Sequence, residues 1–306
     1  MLKIYRRLEK DKKVSVLRQP KSGSWICVEN PSDSQIKKLS KDFKLEEDLI
    51  KDAMDIYEAP RLEIEKNNIY LFTTFASIEK ELAVPYPVLF IINHDYIFTI
   101  SSREMPFVNK LISSDFDFST EDKQGLLLKL LQNIYGEFNL FIHKFSRRIR
   151  QKSVQLEKIR NDDIVQFVNY ESLLNDFLFD FIPATAVFNT LLLGKVISFN
   201  KDQKDIIEDL MLSNNQLIEI ARSNLKNMVN IREAYSTIMT NNLNRVIKLF
   251  TSLTVLLTIP TMIASIYGMN VALPFDNNPH AFLGIILTVI FISFMLLILF
   301  IKRKWL

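Results

Sequence analysis

Several things are scarce in this sequence, and each scarcity excludes something. Among 306 residues there is one cysteine, Cys27, so no intramolecular disulfide framework and no multi-Cys metal site forms. The three histidines, His94, His143 and His280, lie far apart, which gives a His-based zinc site little support. Six glycines exclude collagen-like sequence and argue against a Gly-rich nucleotide-binding fold. No charge sign dominates: 38 Lys+Arg face 35 Asp+Glu, a net charge of +3, too even for an electrostatic nucleic-acid surface. No nucleophile–base pair or phosphate loop emerges, so an enzyme is not expected.

Charge itself is missing from most of the last sixth. Residues 249–275 carry none, and residues 281–301 form a second uncharged block, long enough to cross about 30 Å of hydrocarbon as a helix. Two transmembrane helices are expected. Arg245 and Lys248 precede the first, Lys302, Arg303 and Lys304 follow the second, and the connecting loop 268–280 has no Lys or Arg. By the positive-inside rule both flanks face the cytoplasm and the loop faces out, as a multi-pass protein of the plasma or inner membrane. Residues 1–13 are charged without an apolar run, so no cleavable leader is expected.

The rest divides by pattern. Residues 1–118 mix strand runs (24–28, 69–76, 88–92 and 96–100) with helical stretches (33–43 and 46–55), and read as a cytoplasmic α/β domain. Residues 93–95 are a hairpin turn signal; His94 reads as a turn residue and Cys27 as a buried strand residue. Residues 119–200 read as an antiparallel helical hairpin, with a break at 161–163 and a bend or interruption at Pro183. Its basic middle, 143–150, reads as a solvated helix face.

From 201 to 266 there is no Gly, and Pro260 is the one Pro. This predicts a helix of roughly 100 Å, a stalk (201–248) continuing into the first span. Leu210, Leu217, Asn224, Ile231 and Ile238 repeat every seven residues, interleaved with Ser213, Ile220, Asn227, Ala234 and Asn241. So many asparagines make a poor dry core, and the seam is expected to face a wet channel. The fold class is thus an α+β multi-domain membrane protein: α/β domain, helical hairpin, very long stalk helix, two C-terminal spans (249–301) and a basic tail (302–306).

On the first span Thr251, Thr254, Thr258, Thr261, Ser265 and Gly268 recur every three or four residues, a polar stripe among leucines and isoleucines. Such a stripe fits either helix packing or a pore lining. Continuity with the asparagine seam favours the pore, which requires a ring of identical chains. At its outer end stands Tyr267-Gly268-Met269-Asn270. With this triplet between two C-terminal spans, the long helix, the hairpin with Pro183, the basic tail and the Ala59-Pro60-Arg61-Leu62-Glu63 segment, the sequence resembles the CorA family of divalent-cation channels.

That resemblance implies a homopentamer with a funnel-shaped cytoplasmic part, five first spans around the pore and five second spans against membrane lipid. It implies passage of Mg²⁺, and of Co²⁺ or Ni²⁺, into the cytoplasm. Gly268, Met269 and Asn270 would form the selectivity filter. Asn244, Ile247, Phe250, Thr254, Thr258, Thr261 and Ser265 would line the pore, with Ile247 and Phe250 as a constriction that gates by dewetting. Lys302, Arg303 and Lys304 would be a basic collar; such cations also anchor a span to headgroups. Internal Mg²⁺ would regulate through Asp52 and Asp209, while Lys51 stands where an acidic residue often assists. The outer loop departs from the family pattern, with Asp276 as its single carboxylate. His280 there makes a zinc-transporting member the first alternative. A membrane-anchored coiled-coil scaffold without conduction is the second.

Overall fold

The computed structural model describes residues 1–11, 13–79, 82–113, 118–153, 159–271, 274 and 279–305, with backbone only at 161. It divides into two compact units, Met1–Asn230 and Ile231–Leu306.

The first unit is built on β1 (Leu2–Arg6), β2 (Ser15–Leu17), β3 (Ser24–Glu29), β4 (Arg61–Glu65), β5 (Asn68–Glu79), β6 (Leu82–Ile92) and β7 (Tyr96–Ser101). They form one sheet in the order β2-β1-β3-β7-β6-β5-β4. The β3–β7 pair is parallel and the other described pairs are antiparallel. The expected strands are present, β5 and β6 longer than their apolar runs. At the β6–β7 turn, Asn93 Oδ1 accepts from the backbone N–H groups of Asp95 and Tyr96, an Asx turn.

One face of the sheet is covered by α1 (Asp33–Phe43) and α2 (Glu47–Asp52). Helix α1 starts where Ser32 and Gln35 form a reciprocal capping box, and it ends at Lys44 in the left-handed region, φ 56°. Ile36 and Leu39 of α1 and Ile50 of α2 pack with Ile26, Phe72, Leu89 and Phe98 of the sheet. Cys27, on β3, is buried, and burial pushes its thiol up to about 12, which leaves it inert.

Beyond α3 (Pro106–Ser113) come α4 (Lys123–Ser153) and α5 (Asn161–Leu192). They pair through aromatic contacts: Phe145 with Tyr170 (5.1 Å), Phe138 with Phe177 (5.4 Å) and Tyr135 with Phe188 (5.2 Å). Numbers fall on α4 as they rise on α5, so the hairpin is antiparallel. Helix α5 passes through Pro183 without interruption.

Helix α6 (Lys201–Tyr267) corrects the expected seam. In the first unit its buried positions are Ile207, Leu210, Asn214, Leu217, Ala221, Asn224 and Met228, a heptad pattern, joined by Ile218. The rail through Leu210, Leu217 and Asn224 is as expected. Its companion rail is Ile207, Asn214, Ala221 and Met228, not Ser213, Ile220 and Asn227. Nor does Asn224 face a wet channel: it is 5% exposed and its Nδ2 donates to Ser146 Oγ of α4 at 2.7 Å. Asn214 Nδ2 donates to the Phe181 carbonyl and to Thr185 Oγ1 of α5, both at 2.9 Å. A buried amide is tolerated where it finds such partners, and it then sets the register of the packing.

Asp180 of α5 is 5% exposed. Burial pushes its carboxyl up to about 7, against a Thr74 hydrogen bond that favours ionisation and alongside Asp176, which opposes it. The folded chain therefore keeps a proton that the unfolded chain releases above the ordinary carboxylate value. Stability falls as pH rises from about 4 to about 7 and is then level, a loss of at most about 4 kcal/mol. Asp180→Asn is expected to raise the thermal unfolding midpoint, more at pH 8 than at pH 5. An equal gain at both values would remove ionisation as the cause.

The second unit contains the remainder of α6 and α7 (Ala281–Lys302). Both are long and apolar enough to cross a membrane. Their large side chains lie open: Leu253 is 47% exposed, Leu257 64%, Phe291 67% and Phe294 61%. A continuous apolar surface of this kind is unsuited to water and suited to lipid or to further copies.

Candidate pore helix and outer turn

Burial sorts the first span into two faces. Ser252 is fully buried, and Val255, Leu256, Ile259, Pro260 and Ile263 are half-buried. On α7 the covered positions are Ala281, Ile285, Val289, Ile292, Ser293, Leu296 and Phe300, a stripe at intervals of three and four. The two stripes are the facing surfaces of a helix pair, and small Ser252 and Ser293 permit close approach.

The polar stripe lies on the other side. Asn244, Ile247, Phe250, Thr254, Thr258, Thr261 and Ser265 are all exposed. At 100° per residue they fall within about 120° of arc, centred about 160° from the covered face. Within the chain the hydroxyls do not pack against α7. Thr254 donates to the Phe250 carbonyl (2.8 Å), Thr258 to that of Thr254 (2.7 Å) and Thr261 to that of Leu257 (2.8 Å). Each hydroxyl proton is thereby used along the helix, and the oxygen lone pairs are presented outward. That is an acceptor surface, suited to water molecules oriented around a cation.

Helix α6 ends at Tyr267, and the Gly268 and Met269 N–H groups bond back to the carbonyls of Ala264 (3.0 Å) and Ile266 (3.2 Å). Gly268, Met269 and Asn270 stand exposed on the turn. A Cβ at Gly268 would meet the Ala264 carbonyl oxygen at 3.4 Å, an ordinary contact, and its φ is not positive. The isolated chain therefore does not require glycine there. Asp276 lies outside the described residues. His280 immediately precedes α7 as its N-cap residue.

The regulatory candidates sit in the first unit. Asp52, the last residue of α2, has its Oδ2 2.8 Å from Arg61 Nη2. Arg61 also pairs with Glu58 and Glu63, and lies over the Phe72 ring with its Cζ 4.0 Å from the centroid. This counter-ion for Asp52 was not legible in the sequence; the edge strand β4 creates it by carrying Arg61 alongside β5. Lys51 pairs with Glu47 at 2.7 Å. Asp209 is exposed on α6. Among the described residues no group of three or more His, Cys, Asp or Glu is placed to hold a metal ion. Two hard carboxylate donors fit Mg²⁺ chemically, so a site using them needs a second chain or retained water.

The collar residues Lys302, Arg303 and Lys304 are exposed at the end of α7.

The chain thus combines an α/β unit with two helices long and apolar enough to cross a membrane, one of them bearing a hydroxyl stripe. The family model for the CorA-like Mg²⁺ transporter protein matches residues 20–303, and the chain belongs to that family. A magnesium transport protein CorA from Wolinella succinogenes is 28% identical, over 95% of each chain. A cobalt/magnesium transport protein CorA from Methanocaldococcus jannaschii is 23% identical over 92% of this chain and 90% of that one. The fold agrees with the complete structure of the CorA magnesium transporter from the same archaeon, at a TM-score of 0.86 and 19% identity over 100% of this chain and 99% of that one. These relatives are transport proteins by name, and the chain, a member of their family, carries two helices long and apolar enough to cross a membrane.

Proposed function

We propose that the chain forms a homopentameric channel that conducts Mg²⁺, with Co²⁺ and Ni²⁺ as further cargo, into the cytoplasm across the plasma or inner membrane. The observation that carries this is the exposed hydroxyl stripe of α6, opposite the face covered by α7 and ending at Gly268-Met269-Asn270. Five such stripes around an axis give a water-filled, acceptor-lined path. The basic residues at 245, 248 and 302–304 support a cytoplasmic location for both flanks of the hairpin.

Selection follows from what the stripe and turn contain. Mg²⁺ sheds water reluctantly and takes oxygen ligands, so a ring of Asn270 amide oxygens holds it through its hydration shell. No carboxylate lies between residues 234 and 275, so binding stays weak enough for release. Attraction comes instead from the backbone: each α6 points its C-terminal end, about half a negative charge, at the turn. The membrane potential adds about 4.6 kcal/mol per 100 mV for a divalent ion. Ile247 and Phe250, 51% and 63% exposed, supply the apolar constriction. Internal Mg²⁺ bound by Asp52 and Asp209 of neighbouring copies holds the assembly shut.

The test is dye-reported Mg²⁺ influx into proteoliposomes with an inside-negative potential and Co²⁺, Ni²⁺ or Zn²⁺ as competitor. Influx slowed by Co²⁺ and Ni²⁺ is expected. Faster Zn²⁺ uptake would favour the zinc-transporting alternative, and no flux from a folded pentamer would favour the scaffold. Gly268→Ala separates the chain from the assembly. Folding and pentamer mass are expected to be unchanged, because the single chain accommodates the methyl group, while influx falls about tenfold or more where five copies converge. Unimpaired flux would show that the turn is not the narrow point.

A further inference from the structure

The last turn of α7 has a geometry that the transport reading does not use. Arg303 N–H bonds to the Leu299 carbonyl, Lys304 N–H to Ile301 and Trp305 N–H to Phe300. Lys304 sits in the left-handed region, φ 56°. These are the two reversed bonds and the left-handed residue of a Schellman motif. The hydrophobic contact that accompanies the motif is present: the Trp305 and Phe300 rings stack 5.6 Å apart and 9° from parallel. A non-glycine residue held at positive φ costs energy, and here the ring stack and two hydrogen bonds offset it. The backbone reversal thus lays Trp305 against the end of the apolar helix and leaves Lys302, Arg303 and Lys304 exposed around it.

Two more cations lie at the same depth. A cavity of about 400 Å³, lined by Ile263 and Tyr267 of α6, by His280 and by Gly284 and Ile285 of α7, joins the opposite ends of the pair. Counting inward from there, Lys248 and Lys302 are each reached after about 20 residues, or about 30 Å. Arg245, Lys248, Lys302, Arg303 and Lys304 form no ion pair among the described residues, and all are exposed. Five unpaired cations beside an aromatic ring at the hydrocarbon boundary are complementary to a headgroup that carries net negative charge.

We propose that this turn binds anionic phospholipid headgroups, the phosphate taken by Lys302, Arg303 and Lys304 and the glycerol–acyl junction packed against Trp305. Attraction of about 1 kcal/mol per cation near an anionic surface gives a preference over zwitterionic lipid. The five-fold charge around the proposed pore would be screened by lipid rather than by the passing ion. The site stands whether or not the chain conducts.

The chain has two tryptophans, Trp25 and Trp305. Trp25→Phe in the full-length protein therefore leaves Trp305 as the reporter. Reconstitution is into phosphatidylcholine vesicles in which one-fifth of the lipid is brominated, as either phosphatidylglycerol or phosphatidylcholine. Brominated phosphatidylglycerol is expected to quench Trp305 about three times more strongly, and added glycerol phosphate should leave the difference intact. Lys302→Gln, Arg303→Gln and Lys304→Gln together should bring the ratio to one. Lys304→Gly, which the turn accepts, should lower it only in part. Equal quenching by the two lipids in the unsubstituted tail, a preference that survives the triple substitution, or displacement by glycerol phosphate overturns the proposal.

Discussion

Asn270→Ala is expected to reduce Mg²⁺ influx to the background of empty vesicles, a loss of at least about 100-fold. Five symmetric copies lose the amide together. A single hydrogen bond to a hydration-shell water contributes about 1 kcal/mol, so five removed at once come to about 5 kcal/mol, above the roughly 2.7 kcal/mol that a hundredfold change requires. Within the chain the substitution is mild, because Asn270 is exposed on the turn after α6. Pentamer mass and thermal midpoint should stay where they were. Retained influx in a correctly assembled particle would mean that the outer turn does not select the ion, and the scaffold reading would gain.

The second large effect concerns inhibition by internal Mg²⁺. Asp52 is held by Arg61 at 2.8 Å, and its side chain is 44% exposed. A pair this accessible contributes about 0–1 kcal/mol, so a divalent ion at millimolar concentration competes with the guanidinium effectively. Removing both carboxylates, Asp52→Ala with Asp209→Ala, is expected to raise the internal Mg²⁺ needed for half-inhibition at least about tenfold, while the flux of the open assembly stays the same. Arg61→Ala should shift inhibition the other way, since Asp52 then has one competitor fewer. Flux measured against clamped internal Mg²⁺ decides between these outcomes, and an unmoved inhibition curve in the double variant would take both residues out of the mechanism.

The sheet and the spans differ in how legible they were. Helix α7 follows from composition alone: an uncharged apolar run of this length has a low-energy form only as a membrane helix. The strands β3, β5, β6 and β7 carry apolar runs of their own. The short β1, β2 and β4 do not, and they become strands by hydrogen bonding to a neighbour already in place, as Leu2–Arg6 does between β2 and β3. Helix α3 was unread for a similar reason, since Phe107, Val108 and Leu111 owe their burial to the surrounding fold.

The candidate site was legible as a list and not as an arrangement. Its polar stripe shows in the spacing of Thr254, Thr258, Thr261 and Ser265, but spacing leaves packing and pore lining equally open. The Arg61 counter-ion and the Trp305 stack join residues through a strand pairing and a chain reversal, which no local period encodes.

Sequence alone determined the two membrane helices, the long uninterrupted α6 and one heptad rail, because hydropathy and helical period are properties of neighbours along the chain. Tertiary structure decided which second rail of α6 is buried, that Asn214 and Asn224 serve as internal donors rather than a wet lining, and that α7 covers the face opposite the hydroxyls. Those outcomes depend on where a partner helix lies, and burial, unlike period, is a property of what stands across the gap.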